Sequence, residues 1–388
     1  MDDRRQPPWQ GGARERCGAG SFLLNYSANC LTGSEGRVFV HCLVYRFFEV
    51  EMRLVMSQQS VGKMQTKGKR PKVSIGLPAY KGQFFREALQ CWVDQTFSDF
   101  EVLVYDDASP DDLKSIFDEV CGADPRFRYV RNKENSSPRF VRNWNKTLAA
   151  ARGEYFVLGS DDDVYDKTFL EKMVAAADQN PGVDLFYCRY ARFSDDIKKK
   201  QFFSSCAPRV ESQTEYVYAL LCENRLTIAP NYFMRRGAAA AMGGFIDLPA
   251  AWASDWLSWA RLALHGVVFV PEVLLYWRAN GRNISTKVGG FWDRQKCAAG
   301  VEAEPLWMQL IASLTPRTEA EAWQKAQLLA WMKTGYFMRQ IWPYALLLPW
   351  RCFIHVLLQE KRAGRLSRMM IIKRILLRIY LGMRRFFA

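Results

Sequence analysis

The chain has 388 residues, 49% of them hydrophobic, and carries 54 Lys and Arg against 40 Asp and Glu, a composition that suits one large α/β domain plus a smaller appendage. Its three histidines, His41, His265 and His355, are too scattered to suggest a metal site, and its ten cysteines include no Cys-x-x-Cys pair, which removes zinc and thioredoxin-type readings. The net charge of +14 is not laid out as an aromatic-interleaved basic platform or a reading helix, so nucleic acid is not an expected partner.

Residues 1–70 show no clear periodicity and mix Pro7-Pro8, scattered glycines and a basic run from Lys63 to Lys72. The apolar patch Val38–Phe48 is interrupted by His41 and Arg46 and is too short to span a membrane. It begins too late for a signal peptide and lacks a small-residue cleavage site.

Strands and helices alternate after that. Val73–Pro78 is a short apolar run, Phe84–Gln95 has helical spacing, and Phe100–Tyr105 is a second strand ending in Asp106-Asp107-Ala108-Ser109-Pro110. A helix follows from near Asp111, and Phe127–Val130 is a third strand, so the pattern predicts a parallel sheet. No Gly-x-Gly-x-x-Gly or Walker sequence accompanies these strands, which removes the main support for dinucleotide and P-loop readings. Cys91 and Cys188 lie in apolar helix and strand contexts and read as reduced core residues, which favours a cytosolic site.

Tyr155–Leu158 is another buried-strand run, and it stops at Gly159-Ser160-Asp161-Asp162-Asp163. Carboxylates cannot lie inside such a strand, so they emerge at its carboxyl end, which faces the ligand crevice in open α/β sheets. Adjacent like charges repel unless a cation holds them, which suggests Mg²⁺ or Mn²⁺ gripping a diphosphate. A solvated acidic turn is the alternative.

Five motifs now stand in order: Val73–Tyr80, Gln95–Phe100, Val104–Ser109, Arg142-Asn143, and Gly153-Glu154-Tyr155 leading to Ser160-Asp161-Asp162. Together they resemble the nucleotide-binding half of family 2 glycosyltransferases over about residues 72 to 285. The resemblance implies the GT-A fold, a Rossmann-like, mostly parallel sheet with flanking helices, and a nucleotide-diphospho-sugar donor. Most members carry Asp-x-Asp-Asp, whereas Gly159 stands in the first position here. The cation would then rest chiefly on Asp162, with Asp161 nearer the ribose. Pro78, Ala79 and Tyr80 close the first strand. Tyr80 and Asp107 suit the flat face and the N3–H of a uracil, with Asp106 as the alternative acceptor. Arg139 and Arg142 either face the phosphates or are solvated helix arginines. Because the resemblance starts only near Lys72, Met56 or Met64 is an alternative start, and the upstream part is expected to pack poorly.

Trp252–Ala263 is helical, with Asp255 set among Trp252, Trp256 and Trp259. The segment resembles the family's acidic pair, in which a carboxylate deprotonates the acceptor hydroxyl. Asp255 matches it, and Ser254 replaces the preceding acid. A helix residue favoured by the macrodipole is the other reading of Asp255, and Trp at helical spacing is more often core than acceptor platform. Gly266 ends that helix, and Val267–Val270 with Pro271 is the next strand. Arg278 or Arg282 is a further candidate for the diphosphate.

Residues 291–388 read as a helical, basic, amphipathic region. Thr318–Gln340 is a helix, and Ile341–Leu358 is apolar but holds Pro343, Pro349, Arg351 and His355, which a transmembrane helix seldom tolerates. From Lys361 onward there are nine Lys or Arg and no acid. Met369, Ile372, Leu376, Ile379 and Met383 share one face, with Arg374, Arg378 and Arg385 roughly opposite. Such a helix suits an anionic membrane surface, and docking on its own domain or in a dimer is the alternative.

The reading is an inverting glycosyltransferase, divided as 1–70, 71–290 and 291–388, at the inner face of the cell membrane. It would use a nucleotide-diphospho-sugar, UDP favoured, and a glycan or lipid-linked acceptor in cell-surface polysaccharide synthesis. A catalytically silent sugar-nucleotide-binding or membrane scaffold protein, and a nucleotidyltransferase, are the alternatives.

Overall fold

A computed structural model describes residues 70–386, apart from 195, 280, 282, 347, 349, 363 and 365. The expectations for residues 1–69 and for Arg282 therefore lie outside the described residues.

The first half alternates as expected: β1 (Val73–Ala79), α1 (Phe85–Val93), β2 (Phe100–Asp106), α2 (Leu113–Cys121), β3 (Phe127–Arg131), α3 (Val141–Ala150) and β4 (Tyr155–Leu158). The chain continues through β5 (Val164–Tyr165), α4 (Phe169–Gln179), β6 (Leu185–Phe193), β7 (Phe202–Phe203), β8 (Val210–Glu211) and α5 (Gln213–Leu221). Then come β9 (Tyr232–Arg235), α6 (Arg236–Ala241), α7 (Ser254–Leu262) and β10 (Val267–Arg278). Among the described residues the strands form one ten-stranded sheet, ordered β3-β2-β1-β4-β9-β6-β10-β5, with β7 on β6 and β8 on β10.

β1, β2, β3 and β4 pair in parallel, and β6 and β10 do so in the other half, with antiparallel β9 joining the two sets. Continuous apolar runs form these strands because both faces of the sheet are covered. One core, with Ile75, Leu77, Phe85, Trp92, Phe169 and Phe186, lies under α1, α2 and α4. The other holds Phe156, Tyr216, Tyr232 and Trp259 under α3, α5 and α7. Gly76 is required between β1 and α3, because a Cβ there would lie 2.3 Å from Thr147 Oγ1.

Two boundaries differ from expectation. β10 does not stop at Pro271 but runs on to Arg278, its pairing with β6 shifting register between Val270 and Val273. A bulge tolerates a proline that a regular ladder would not. Helix α7 starts at Ser254 rather than Trp252, because Ala250, Ala251 and Ala253 all have left-handed φ, between 52° and 62°.

From Gly290 onward the described elements are helical: α8 (Gly290–Ser313), α9 (Glu319–Tyr336), a π-helical turn at Phe337–Ile341, α10 (Trp342–Ala345), α11 (Trp350–Arg362) and α12 (Arg368–Phe386). Trp307, Ile311, Phe337, Ile341 and Phe353 enter the same core as Tyr232 and Trp259. No helix among the described residues is long and apolar enough to cross a membrane.

Helix α12 presents its faces in an order the sequence does not announce. Met369 is 67% exposed, Ile372 57% and Leu376 58%. Arg374 instead packs on the Trp342 ring at 4.4 Å, and Arg378 on Phe353 at 4.4 Å and Trp350 at 4.6 Å. The guanidiniums cover aromatic rings and the apolar stripe faces out. The side chains of Met383 and Arg385 lie outside the described ones.

Candidate active site

Parallel registers bring three strand ends to one edge. Ala79 pairs with Asp106 and Gly76 with Leu158, so Tyr80, Asp107 and the run Gly159–Asp163 leave the sheet side by side. They border a cavity of about 970 Å³. It is lined by Pro78, Ala79, Tyr80, Lys81, Asp107 and Asn143 together with the acidic run. Trp252, Asp255, Trp256, Trp292, Arg339 and Gln340 line it as well.

The acidic run is organised by its neighbours. Asp161 Oδ2 accepts the backbone N–H groups of Tyr80 and Lys81, each at 2.8 Å. Lys81 Nζ lies 3.3 Å from Asp161 Oδ1 and is hydrogen-bonded to Asp162 Oδ2, while Ser160 Oγ donates to Asp162 Oδ1 at 2.6 Å. Burial opposes the charge on Lys81, but Asp161 and Asp162 outweigh it and raise the ammonium above its ordinary pKa. Asp163 turns away and accepts the backbone N–H of Arg278 at 2.8 Å. Burial, then the neighbouring charge of Asp162, pushes the Asp163 carboxyl well up.

Two carboxylates at a strand end have the right chemistry for a hard divalent cation beside a diphosphate. The arrangement does not fit one, because both oxygens of Asp162 are engaged, one of them by an ammonium. Among the described residues no group of three His, Cys, Asp or Glu side chains is placed to hold a metal ion. Gly159 contributes no ligand, and a Cβ there would lie 2.9 Å from Leu77 Cδ1.

Tyr80 is 45% exposed and lines the cavity, and the buried Asp107 lines it too. Asp107 accepts Asn132 Nδ2 at 2.9 Å, Ser136 Oγ at 2.7 Å and the Ser136 N–H at 3.0 Å, which leaves acceptor capacity for a ligand.

Four residues expected at the ligand are placed elsewhere. Asp106 is fully buried behind the cavity and committed to Tyr129 Oη at 2.6 Å, Ser109 N at 2.7 Å and Arg131. Arg139 donates to the Asp247 carbonyl at 2.7 Å and pairs with Glu302, and Arg142 donates to Asp247 Oδ2 at 3.2 Å. On α3 it is Asn143 and Trp144, not Arg142, that line the cavity, and Arg139 precedes the helix. Arg278 is 1% exposed and braces the acidic run from behind, donating through Nε to the Asp162 carbonyl at 2.8 Å.

Asp255 faces the cavity from the first turn of α7. Its Oδ1 accepts the Trp256 N–H at 2.9 Å, and burial among apolar groups pushes the carboxyl up to about 6. Three left-handed alanines in the four residues before Ser254 are an unusual concentration of backbone strain, of the kind that clusters at functional sites. Trp259 is core, stacked on Tyr232 at 4.9 Å, whereas Trp252 and Trp256 line the cavity.

Lys81, Arg339 and Gln340 were not singled out by sequence. A lysine after a strand-end tyrosine carries no pattern, and the other two lie in the π-helical turn that follows α9, which sequence periodicity does not reveal.

Residues 74–239 match the family model described as glycosyl transferase family 2. The chain is 31% identical over 130 residues to the putative glycosyltransferase EpsH of Bacillus subtilis, covering 33% of this chain and 36% of that protein. It is 30% identical over 106 residues to the putative teichuronic acid biosynthesis glycosyltransferase TuaG of the same organism, covering 27% and 41%. The chain thus spans about a third of the length of the first curated relatives it matches. Among solved structures, S. aureus TarS 1–349 in complex with UDP-GlcNAc superposes with a TM-score of 0.53 at 16% identity, over 72% of this chain and 82% of that one. The fold is GT-A, as the sequence resemblance implied.

Proposed function

We propose, from the glycosyl transferase family 2 domain that residues 74–239 form, that this protein moves a sugar from a nucleotide-diphospho-sugar to an acceptor hydroxyl with inversion. The observation that carries the reading is Asp255. It is a carboxylate raised to about 6, in the same cavity as the strand-end residues Tyr80, Asp107 and Asp161. A base needs a pKa near the working pH and a place on the acceptor's side of the site, and a raised carboxyl that lines the cavity supports that role for Asp255.

In this reading a uracil stacks on Tyr80 and gives its N3–H to Asp107, and Asp161 meets the ribose. The sugar then extends toward Asp255, and an acceptor ring rests against Trp252 or Trp256. Asp255 takes the hydroxyl proton as the oxygen attacks the anomeric carbon from the face opposite the diphosphate, which inverts that centre. UDP is favoured as the nucleotide, and a glycan or lipid-linked acceptor in cell-surface polysaccharide synthesis as the target. The names of TuaG and of the TarS complex support that choice by analogy.

The location we propose is peripheral, at the cytoplasmic face of the membrane. The outward Met369, Ile372 and Leu376 of α12 supply an apolar stripe, and exposed Lys361, Arg362 and Lys373 supply charge for anionic headgroups.

Screening UDP-, GDP- and dTDP-sugars for turnover tests the enzyme reading. Turnover of a UDP-sugar, lost in Asp255→Asn with UDP affinity retained, supports it. Nucleotide binding without turnover of any donor would favour the silent binding protein, and neither binding nor turnover would overturn the donor assignment.

A further inference from the structure

A leaving diphosphate gathers negative charge, and a cation beside it lowers the barrier. The chain places one of its own among the strand-end carboxylates. Lys81 Nζ bonds Asp162 Oδ2 and lies 3.3 Å from Asp161 Oδ1. The loop that carries it is fastened to the same carboxylate, since the Lys81 N–H donates to Asp161 Oδ2 at 2.8 Å. The side chain is partly exposed and lines the cavity, so a ligand can reach it.

The surroundings close the place to a second cation. Ser160 Oγ holds the other oxygen of Asp162, and Asp163 is turned to the Arg278 N–H. The space a side chain at Gly159 would enter is filled by Leu77. A divalent ion on Asp162 would have to displace a tethered ammonium from a largely desolvated pair and would bring its charge against that ammonium. The ammonium has three N–H donors, two for Asp161 and Asp162 and one for a phosphate oxygen. Lys287 and Arg339 line the same cavity and add positive charge to it.

We infer that Lys81 is the resident cation of the donor site, meeting the diphosphate directly, so that donor binding does not depend on a divalent metal. The inference rests on the nucleotide-sugar reading above for its ligand, but its central claim concerns Lys81 and Asp162 alone.

The test compares the full-length wild type with Lys81→Gln and Lys81→Arg, each shown to be folded by circular dichroism. Mn²⁺ binding is followed by electron paramagnetic resonance without nucleotide, and UDP binding by calorimetry with either EDTA or Mn²⁺. Wild type should bind UDP with an affinity that changes less than about threefold between EDTA and Mn²⁺. Lys81→Gln should lose about tenfold or more in EDTA, the loss of one charge-assisted hydrogen bond, and recover with Mn²⁺. It should also bind Mn²⁺ alone about tenfold more tightly than wild type, because Asp162 is freed. Lys81→Arg should follow wild type. Equal Mn²⁺ affinity in wild type and Lys81→Gln, whether tight or undetectable, overturns the inference. If no variant binds UDP under either condition, the nucleotide-sugar reading fails, and the Mn²⁺ comparison still decides the role of Lys81.

Discussion

Arg278, at the end of β10, donates through Nε to the main-chain carbonyl of Asp162 at 2.8 Å, across 116 residues of sequence. Its own N–H holds the Asp163 carboxylate, its NH2 pairs with Glu87, and its guanidinium lies 4.0 Å from the centre of the Phe84 ring. One buried side chain thus sets the position of the acidic run from behind. Arg278→Leu should lower unfolding free energy by about 3 kcal/mol or more, because buried acceptors lose their donor, and should weaken UDP binding as the run shifts. Urea denaturation and calorimetry measure the two effects. Wild-type stability in the variant would show that the acidic run holds its place without Arg278.

Asp255 couples catalysis and stability through its proton. The folded pKa of about 6 stands above the ordinary 3.8, so the native state binds more protons between those values. Stability from this group is therefore full below about pH 4 and falls as pH rises toward 6, after which the whole penalty applies. Asp255→Asn removes the penalty. Its gain at pH 8 should be at most about 3 kcal/mol, less to the extent that the carboxylate opens on the cavity, and should vanish at pH 4. Turnover in the wild type should rise through about pH 6 and then level, and in Asp255→Asn it should fall by about 10²-fold or more. Thermal melts at the two pH values and a pH–rate profile read this out. A variant that keeps wild-type turnover would place the base elsewhere.

Ala253, with φ of 62°, is the last left-handed residue before α7. A non-glycine residue there costs roughly 1–2 kcal/mol, partly offset for glycine by the entropy it gains in the unfolded chain. Ala253→Gly should be neutral to slightly stabilising. Ala253→Val should destabilise by about 1 kcal/mol or more and tilt the first turn of α7, reducing kcat while UDP affinity holds. The reverse order of stability would mean that the backbone at 253 is relaxed.

The parallel half of the sheet was legible because strands buried on both faces must be continuous apolar runs, as in Val73–Ala79 and Tyr155–Leu158. Strand-end residues followed from that: Tyr80, Asp107 and Asp161 border the same cavity, as does Asp255 from α7. What failed was direction. Arg139 falls before α3 rather than one turn along it from Arg142, and both arginines are held by Asp247 instead of lining the cavity. The two faces of α12 were separable by period, yet period does not say which face is inward, and aromatic rings at Trp342 and Phe353 took the arginines. Lys81 was invisible for a different reason. Its role comes from carboxylates 80 and 81 residues away, a proximity that no local pattern encodes.

The outward stripe of α12 predicts membrane binding by a surface that can be altered without touching the core. Ile372 and Leu376 are both more than half exposed, so Ile372→Asp with Leu376→Asp should leave the melting temperature unchanged within about a degree. The full-length protein should float with vesicles containing anionic lipid, and the double variant should not, because two charges would have to enter the headgroup boundary. Raising salt should weaken flotation of the wild type, since exposed Lys361, Arg362 and Lys373 act over a screening length of about 8–10 Å at physiological ionic strength. Replacing those three with Gln should mimic high salt while leaving some binding through the apolar stripe. Salt-insensitive flotation of every variant would point instead to the apolar chain between Ile341 and Leu358. If the wild type does not float, the membrane proposal falls. A sedimentation shift from dimer to monomer in the Asp double variant would then identify a second copy as what covers the stripe.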